Sequence, residues 1–221
     1  MEIKEFIIEN KVIAICRKVY GDDLLRLAGA LYDGGVRMIE VTFDQADPDC
    51  IEKTAAAMRM LKQNYEGAIR FGAGTVLTAE QVNAAYEAGG EYMISPNTNL
   101  GVIKRTKELG LISIPGAMTP TEILDAHDAG ADFVKLFPAS YLRMSYVKDI
   151  TAPISHVKLI ATGGVNETNY GAYLDAGFVG AGISSRLADR KLIASGNFAE
   201  ITARAREFAA NSAGKRRAGE T

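Results

Sequence analysis

A recurring junction between helices and strands is the feature that most constrains the fold of this chain. At each junction a helix-like stretch ends in glycine and continues, after at most two residues, into a short apolar run. Glycine can adopt the left-handed conformation at the end of a helix without a Cβ clash, so it marks a helix end and the apolar run a strand start. Five such junctions indicate an α/β chain: LYDGGVRMIEVTF, AYEAGGEYMISP, TKELGLISIPG, HDAGADFVKLFP and LDAGFVGAGIS.

Three further apolar runs complete eight predicted strands, at residues 12–16 (VIAIC), 68–74 (AIRFGAG) and 157–164 (VKLIATGG). Amphipathic segments of helical length lie between strands, at Asp22 to Tyr32, Pro48 to Gln63, Ala79 to Ala88 and Thr121 to Ala129. Alternating elements predict a parallel sheet that is buried on both faces. Eight such strands fit a closed (β/α)8 TIM barrel better than an open doubly wound sheet, and no G-x-G-x-x-G follows the first strand.

The predicted barrel accounts for most of the chain. We expect one (β/α)8 domain over residues 1–211, with a short N-terminal helix at Ile3 to Glu9 that covers the barrel floor. Residues 212–221 read SAGKRRAGET and are polar and rich in glycine. We therefore predict a flexible polar tail from Ser212 onward.

Composition favours a small molecule as the partner. Hydrophobic residues make up 48% of the chain, and the net charge of −2 provides no basic face for nucleic acid or an anionic membrane. The two cysteines, Cys16 and Cys50, are too few for a disulfide framework or a cysteine-rich metal site. The N-terminal segment has no long apolar run, so we expect a cytoplasmic protein with no membrane span.

Polar residues at the carboxyl ends of the strands are the candidates for chemistry, since (β/α)8 active sites lie there. They are Arg17, Glu40, Thr75, Ser95, Lys135, Thr162 and Ser184. Lys135 in DFVKLFPA would point into the barrel if Val134 and Leu136 pack against the helices, because strand side chains alternate in direction. Burial lowers the pKa of a lysine and yields the free amine that Schiff-base chemistry needs. The alternative is a lysine that extends its ammonium to solvent.

A second charged residue, Glu40, lies in another apolar strand, RMIEVTF. A carboxylate near a partly desolvated lysine can act as a general acid/base, because burial raises its pKa toward working pH. The alternative is that Glu40 and Lys135 neutralise each other as a structural pair.

Two glycine-rich segments, IATGGV at 160–165 and GAGIS at 180–184, end the last two predicted strands. Backbone N–H groups in these loops are the usual phosphate site of the fold, so a phosphorylated ligand is predicted. Metal chemistry is not indicated, since His127 and His156 have no ligand-spaced partners. No G-x-S-x-G elbow is present to carry a serine nucleophile.

Seven motifs, in order and at barrel-strand spacing, carry a family resemblance: GGVRMIEVT, GAGTVL, ISPN, IPG, VKLFPA, TGGV and GAGIS. On these motifs the chain resembles the bacterial 2-keto-3-deoxy-6-phosphogluconate (KDPG) / 4-hydroxy-2-oxoglutarate aldolases. The resemblance implies a class I pyruvate aldolase on a (β/α)8 barrel, a homotrimer, and no metal or organic cofactor. Its substrates would be a phosphorylated 2-keto-3-deoxy sugar acid and pyruvate.

The resemblance also implies roles for individual residues. Lys135 matches the Schiff-base lysine and Glu40 the acid/base. The positions implied to bind substrate are Arg17, Thr75, Pro96, Phe137 and Thr162, and those implied to bind phosphate are Gly163, Gly164, Gly182 and Ser184.

The chain departs from the phosphogluconate pattern at two positions. That branch often has an arginine four residues beyond the glutamate, where this chain has Asp44, and often GGSW where this chain has GISS. Arg17 resembles the first-strand arginine of 6-phosphogalactonate aldolases and is the candidate for the missing carboxylate contact. The gluconate, galactonate and oxoglutarate substrates therefore stay open, as do a different phosphate-binding barrel enzyme and a catalytically silent binding protein.

Overall fold

The structure is a computed structural model in which residues 1–214 are described, and its centre is one parallel sheet. The strands are β1 (Val12–Cys16), β2 (Met38–Thr42), β3 (Arg70–Gly74), β4 (Tyr92–Ile94), β5 (Ile112–Ile114), β6 (Gly116–Ala117), β7 (Val134–Leu136), β8 (Leu159–Thr162) and β9 (Gly180–Ile183). They pair in the order β5-β4-β3-β2-β1-β9-β8-β7-β6. Every neighbouring pair is parallel, as alternating helices and strands require.

The two ends of this sheet, β5 and β6, are separated by a single residue, Pro115. Proline has no backbone N–H, so the ladder is interrupted there. The Pro115 carbonyl still accepts a hydrogen bond from the N–H of Lys135 at 2.8 Å. The predicted strand in LISIPG is thus split in two and joins β4 to β7, which closes the ring. The predicted (β/α)8 TIM-barrel class is confirmed.

The helices surround the barrel: α1 (Ile3–Asn10), α2 (Gly21–Asp33), α3 (Cys50–Tyr65), α4 (Ala79–Glu87), α5 (Leu100–Glu108), α6 (Pro120–Asp128), α7 (Met144–Thr151), α8 (Tyr170–Asp175), α9 (Arg190–Ala194) and α10 (Phe198–Gly214). Side chains cap several starts, and α6 has a full capping box between Thr119 and Glu122. All five predicted junctions contain a glycine with positive φ: Gly35, Gly89, Gly110, Gly130 and Gly177. None of the helices within residues 1–214 is both long and apolar enough to cross a bilayer.

Two hydrophobic clusters separate the inside of the barrel from the layer between strands and helices. The inner cluster contains Ile13, Met38, Phe133 and Ile160, and Ile7 of α1 joins it. Helix α1 therefore covers the barrel floor, as predicted. The next inward positions along the same strands are Ile15, Glu40, Lys135 and Thr162. The strand alternation thus brings two charged side chains into the layer nearest the carboxyl ends.

The C-terminal boundary differs from the sequence-based one. Helix α10 runs to Gly214 and so includes Ser212, whereas the composition predicts a flexible tail from this residue onward. Ser212 is buried, and its Oγ lies 2.8 Å from the hydroxyl of Tyr170. Packing of Phe208 against Tyr170 anchors this last turn, a long-range contact that composition does not reveal. Residues 215–221 lie outside the described part of the chain.

Candidate active site

Lys135 faces the interior of the barrel. Its neighbour Phe133 belongs to the inner cluster, whereas Val134 and Leu136 pack in the outer cluster with the helices. Lys135 is only 4% exposed, so its ammonium does not extend to solvent. Its Nζ lies 5.0 Å from the centroid of the Phe137 ring. The solvent-facing alternative for this lysine is therefore wrong.

The surroundings of Lys135 favour its neutral form. Burial lowers the pKa of the Lys135 amine, and the nearby charge of Arg17 lowers it further, while Glu40 acts in the opposite direction. Only the neutral amine has a lone pair with which to attack a carbonyl carbon. This site therefore raises the population of the reactive species relative to an ordinary surface lysine.

Glu40 lies in β2 at the same level of the barrel and is 1% exposed. Its Oε2 has no hydrogen-bond partner among the described residues. Burial raises the pKa of this carboxyl, and the charges of Lys135 and Arg17 partly oppose the shift. A buried carboxyl with an unused oxygen and a raised pKa is suited to accept and return a proton.

Glu40 and Lys135 do not form a structural ion pair. Each shifts the pKa of the other, so their charges interact. Yet the salt bridges and hydrogen bonds of residues 1–214 include none between them. Two functional groups that interact without touching leave room for a reacting carbon or a water between them.

The other predicted substrate residues lie around this pair. Thr162 is buried in the same inward row, and a Cβ added at Gly182 would meet its Oγ1 at 2.8 Å. Thr75 follows β3 with a φ of 55°, a conformation that non-glycine residues adopt mainly at constrained sites. Its carbonyl accepts a hydrogen bond of 2.8 Å from Gln45. Pro96 packs its backbone against Gly116, whose Cα pairs with that of Lys135.

The first predicted phosphate loop follows β8 and lies against the end of β7. Gly163 and Gly164 have φ values of 94° and 71°, so each uses a conformation that favours glycine. A Cβ at Gly163 would meet Phe137 Cδ2 at 3.4 Å, and one at Gly164 would collide with Ser140. These glycines let the loop approach the segment that follows Lys135.

Arg17 and Ser184 share a cavity of about 500 Å³ at the ends of β1 and β9. Its lining comprises Ile15, Arg17, Lys18, Ser184, Ser185, Ala188, Asp189, Arg190 and Lys191. Lys135 and Glu40 are not among the described residues that line it. Arg17 and Ser184 therefore lie in a cavity next to Lys135 and Glu40, but the four residues do not line one open pocket.

In the described part of the chain, no group of three or more His, Cys, Asp or Glu side chains is placed to bind a metal ion. His127 and His156 pack edge to face with ring centroids 5.1 Å apart. The Cys16 thiol is buried, and burial together with the charge of Glu40 raises its pKa to about 12, so it stays protonated.

Comparison with known proteins identifies the family of this chain. A sequence model described as "KDPG and KHG aldolase" matches residues 3–204. The chain belongs to the KDPG and KHG aldolase family. This is the family that the motifs around Lys135 predicted, and the match includes every strand of the barrel.

Individual members of the KDPG and KHG aldolase family resemble the chain over most of its length. A probable 2-dehydro-3-deoxy-6-phosphogalactonate aldolase of Rhizobium meliloti is 36% identical over 81% of this chain and 82% of its own. A 2-dehydro-3-deoxy-phosphogluconate aldolase of Haemophilus influenzae is 32% identical over 93% and 94%. A KDPG aldolase from Legionella pneumophila, crystallised with pyruvate as a covalent carbinolamine, is 27% identical, with a TM-score of 0.83 over 94% and 98%.

Several residues of this KDPG and KHG aldolase family member escaped the sequence analysis. The sequence shows that Asp44 departs from the phosphogluconate pattern, but it does not reveal that the Asp44 carboxylate pairs with Lys18 at 2.8 Å. Arg190 and Lys191 line the Arg17 cavity. Their position shortly after the GAGIS segment is the only sequence signal for this role. The sequence does not reveal that the start of helix α9 faces the cavity.

Gly74, at the end of β3, is a further missed residue that acts through Glu40. A Cβ added here would collide with Cγ, Cδ and Oε1 of Glu40, which are the nearest atoms to it. The carboxyl therefore occupies the space that any other residue at position 74 would fill. Gly74 is therefore a positioning residue for the Glu40 carboxyl.

Gly74→Ala is expected to lower kcat by roughly 10²-fold, because general acid/base catalysis contributes roughly 10²–10⁴-fold and depends on geometry. The pH profile of kcat should also change, since the displaced carboxyl loses its buried surroundings. Gly171→Ala is the matched control, because a Cβ at this helical position of α8 meets nothing within 4 Å. Steady-state kinetics across pH on both variants provides the measurement. Equal activity of the two would refute this role for Gly74.

Glu40→Gln is expected to stabilise the fold, and increasingly so as the pH rises. Because burial raises the folded-state pKa of Glu40, the folded wild type holds a proton that the unfolded chain releases above its own pKa. The wild type thus loses stability as pH rises through the window between these two pKa values, and glutamine has no such loss. Denaturant unfolding at about pH 5 and about pH 8 should show a gain that grows toward ~1–3 kcal/mol. A gain that shrinks with pH would contradict the burial of an ionisable carboxyl.

Proposed function

We propose that this chain is a class I aldolase, an aldehyde-lyase that cleaves KDPG to pyruvate and glyceraldehyde 3-phosphate. The observation that carries the proposal is the inward Lys135, whose amine has a lowered pKa, together with the buried Glu40 carboxyl, whose Oε2 has no hydrogen-bond partner among the described residues. Membership of the KDPG and KHG aldolase family supports the same reaction.

The reaction begins at the Lys135 amine. Its Nζ attacks the C2 ketone of the substrate and forms a carbinolamine, which loses water to become an iminium. Glu40 supplies the proton that lets the hydroxyl leave as water. The positively charged nitrogen then acts as an electron sink two bonds away from the C3–C4 bond.

Cleavage uses that sink. Glu40 accepts the proton of the C4 hydroxyl, the C3–C4 bonding electrons move to C3, and the iminium becomes an enamine as the aldehyde departs. Glu40 then returns a proton to C3 of the enamine, and hydrolysis of the iminium releases pyruvate and the free amine. The buried carboxyl thus alternates between acid and base, a role that its pKa, raised by burial, favours.

We further propose substrate contacts from the residues around this pair. Arg17 would bind the C1 carboxylate; Thr75, Pro96, Phe137 and Thr162 would line the reacting carbons; and Gly163, Gly164, Gly182 and Ser184 would contribute phosphate contacts. Their positions at the carboxyl ends of the strands support these roles. We also propose that the chain forms a single barrel domain that includes the last turn of α10 around Ser212. This domain would assemble as a homotrimer, which sedimentation velocity would test.

A second candidate substrate is 2-keto-3-deoxy-6-phosphogalactonate. Asp44 places a carboxylate after β2 where the phosphogluconate branch often has an arginine, and this carboxylate pairs with Lys18. Arg17, in contrast, follows β1, and its charge acts on the Glu40 carboxyl. The similarity to the Rhizobium meliloti protein points the same way. Because the two sugar acids differ in configuration at C4, the family alone does not separate them.

Steady-state cleavage of the phosphogluconate, phosphogalactonate and 4-hydroxy-2-oxoglutarate compounds, with pyruvate release as the signal, tests the proposal. We expect the highest kcat/KM for phosphogluconate, with unchanged rates after EDTA treatment. A preference for phosphogalactonate would select the second candidate. If none of the three compounds yields pyruvate, the aldolase proposal is wrong, and the chain is a different phosphate-binding enzyme or a catalytically silent binding protein.

A further inference from the structure

The cavity beside the reacting pair is strongly cationic. Its described lining includes four basic side chains and a single carboxylate, that of Asp189. Two of the cations, Arg17 and Lys18, follow β1, and the other two, Arg190 and Lys191, begin α9. The cavity thus collects positive charge from two elements that are far apart in sequence.

Most of this charge is not neutralised by ion pairs among the described residues. Lys18 pairs with Asp44 at 2.8 Å, which leaves Arg17, Arg190 and Lys191 without an ion pair among residues 1–214. Asp189 accepts hydrogen bonds from the N–H groups of Lys191 and Leu192 at 2.9 and 3.3 Å. It also pairs with Arg204 at 3.3 Å. Three cations therefore face the cavity, while its one carboxylate is already engaged.

The cavity adjoins the layer in which the chemistry takes place. Ile15 lines it, and the Cα of Ile15 is the cross-strand partner of the Cα of Glu40. A Cβ at Gly182 would meet Ile15 Cδ1 at 3.1 Å, so the cavity floor lies against the end of β9 as well. Arg17 spans the two regions, because its charge shifts the pKa of both Lys135 and Glu40.

We propose that Arg190 and Lys191 bind the terminal phosphate of the substrate and make this chain selective for phosphorylated aldehydes. The inference rests on the proposed aldolase function and adds to it two side chains that the glycine loops do not supply. A phosphate dianion suits this site, since arginine offers a fork of donors and lysine a point charge. With Arg17 nearer the reacting pair, the cations of α9 remain for the far end of the substrate.

The condensation direction isolates the phosphate contribution. Glyceraldehyde 3-phosphate and glyceraldehyde differ only in the phosphate, so the ratio of their kcat/KM values with pyruvate measures the recognition of that group. Arg190→Gln and Lys191→Gln are each expected to lower this ratio roughly 10-fold, and the double variant about 30- to 100-fold. Lys104→Gln, which removes an exposed charge on α5 at the far side of the barrel, should leave the ratio unchanged.

Pyruvate trapping by borohydride separates this inference from the proposed function, because pyruvate has no distal phosphate. We expect the double variant to be trapped at the wild-type rate while its aldehyde ratio falls. Normal trapping with an unchanged ratio would overturn the inference alone, as would an equal loss for both aldehydes. No trapping of the wild-type chain would overturn the aldolase function, and the inference with it.

Discussion

Lys135→Ala is expected to lower kcat for cleavage by about 10⁴-fold or more while the barrel stays folded. Without the amine no iminium forms, so the C3–C4 bonding electrons have no sink, and only substrate binding remains. Lys158→Ala is the matched control. Lys158 is exposed and lies just before the amino end of β8, whereas the active-site residues lie toward the carboxyl ends of the strands. Pyruvate release under saturating substrate is the measurement.

Circular dichroism and thermal unfolding of the Lys135→Ala variant distinguish chemical from structural loss. Lys135 has no ion-pair partner within residues 1–214, so its truncation breaks no salt bridge. A folded variant with turnover close to that of wild type would remove Lys135 from the mechanism.

Glu40→Gln is expected to lower kcat by roughly 10²–10⁴-fold, the usual contribution of a positioned general acid/base. Glutamine preserves the shape of the side chain beside Gly74 but neither accepts nor returns a proton. The variant should also lose the limb of the pH profile that reports the raised pKa of Glu40. Glu91→Gln is the control, because it removes a carboxylate at the opposite end of the barrel. Glu91 immediately precedes the amino end of β4 and pairs with Arg70 at 2.6 Å.

A Glu40→Gln enzyme with an unchanged pH profile and near-normal kcat would mean that another group moves the protons. This outcome differs from a folding defect, since we expect the same substitution to raise the free energy of unfolding. Lower activity together with higher stability is the combination expected if Glu40, whose buried Oε2 has no hydrogen-bond partner among the described residues, is the acid/base.

Sequence reasoning succeeded where the physical cause is local. The five helix-to-strand junctions were predictable because the left-handed conformation at each helix end excludes most side chains, and Gly35 and Gly130 among them have φ values of 91° and 98°. The inward direction of Lys135 follows from the two-residue repeat of a strand, because its neighbours Val134 and Leu136 pack on the helix side.

Sequence reasoning failed where the cause is a contact between distant segments. The pairing of Lys18 with Asp44 depends on β1 and β2 ending side by side, and the contact of Gly74 with Glu40 depends on the register of β3 against β2. The last turn of α10 is held by Tyr170, far away in the chain, so composition alone suggested a flexible tail from Ser212. These contacts exist only after the barrel has closed.

The most direct test of the central claim is borohydride reduction of the full chain in the presence of pyruvate, followed by peptide mass spectrometry. A neutral amine inside the barrel should condense with the ketone, and reduction should attach one reduced pyruvate at Lys135 while Lys135→Ala gains none. Label on any other lysine, or none on the wild-type chain, would contradict the Schiff-base mechanism.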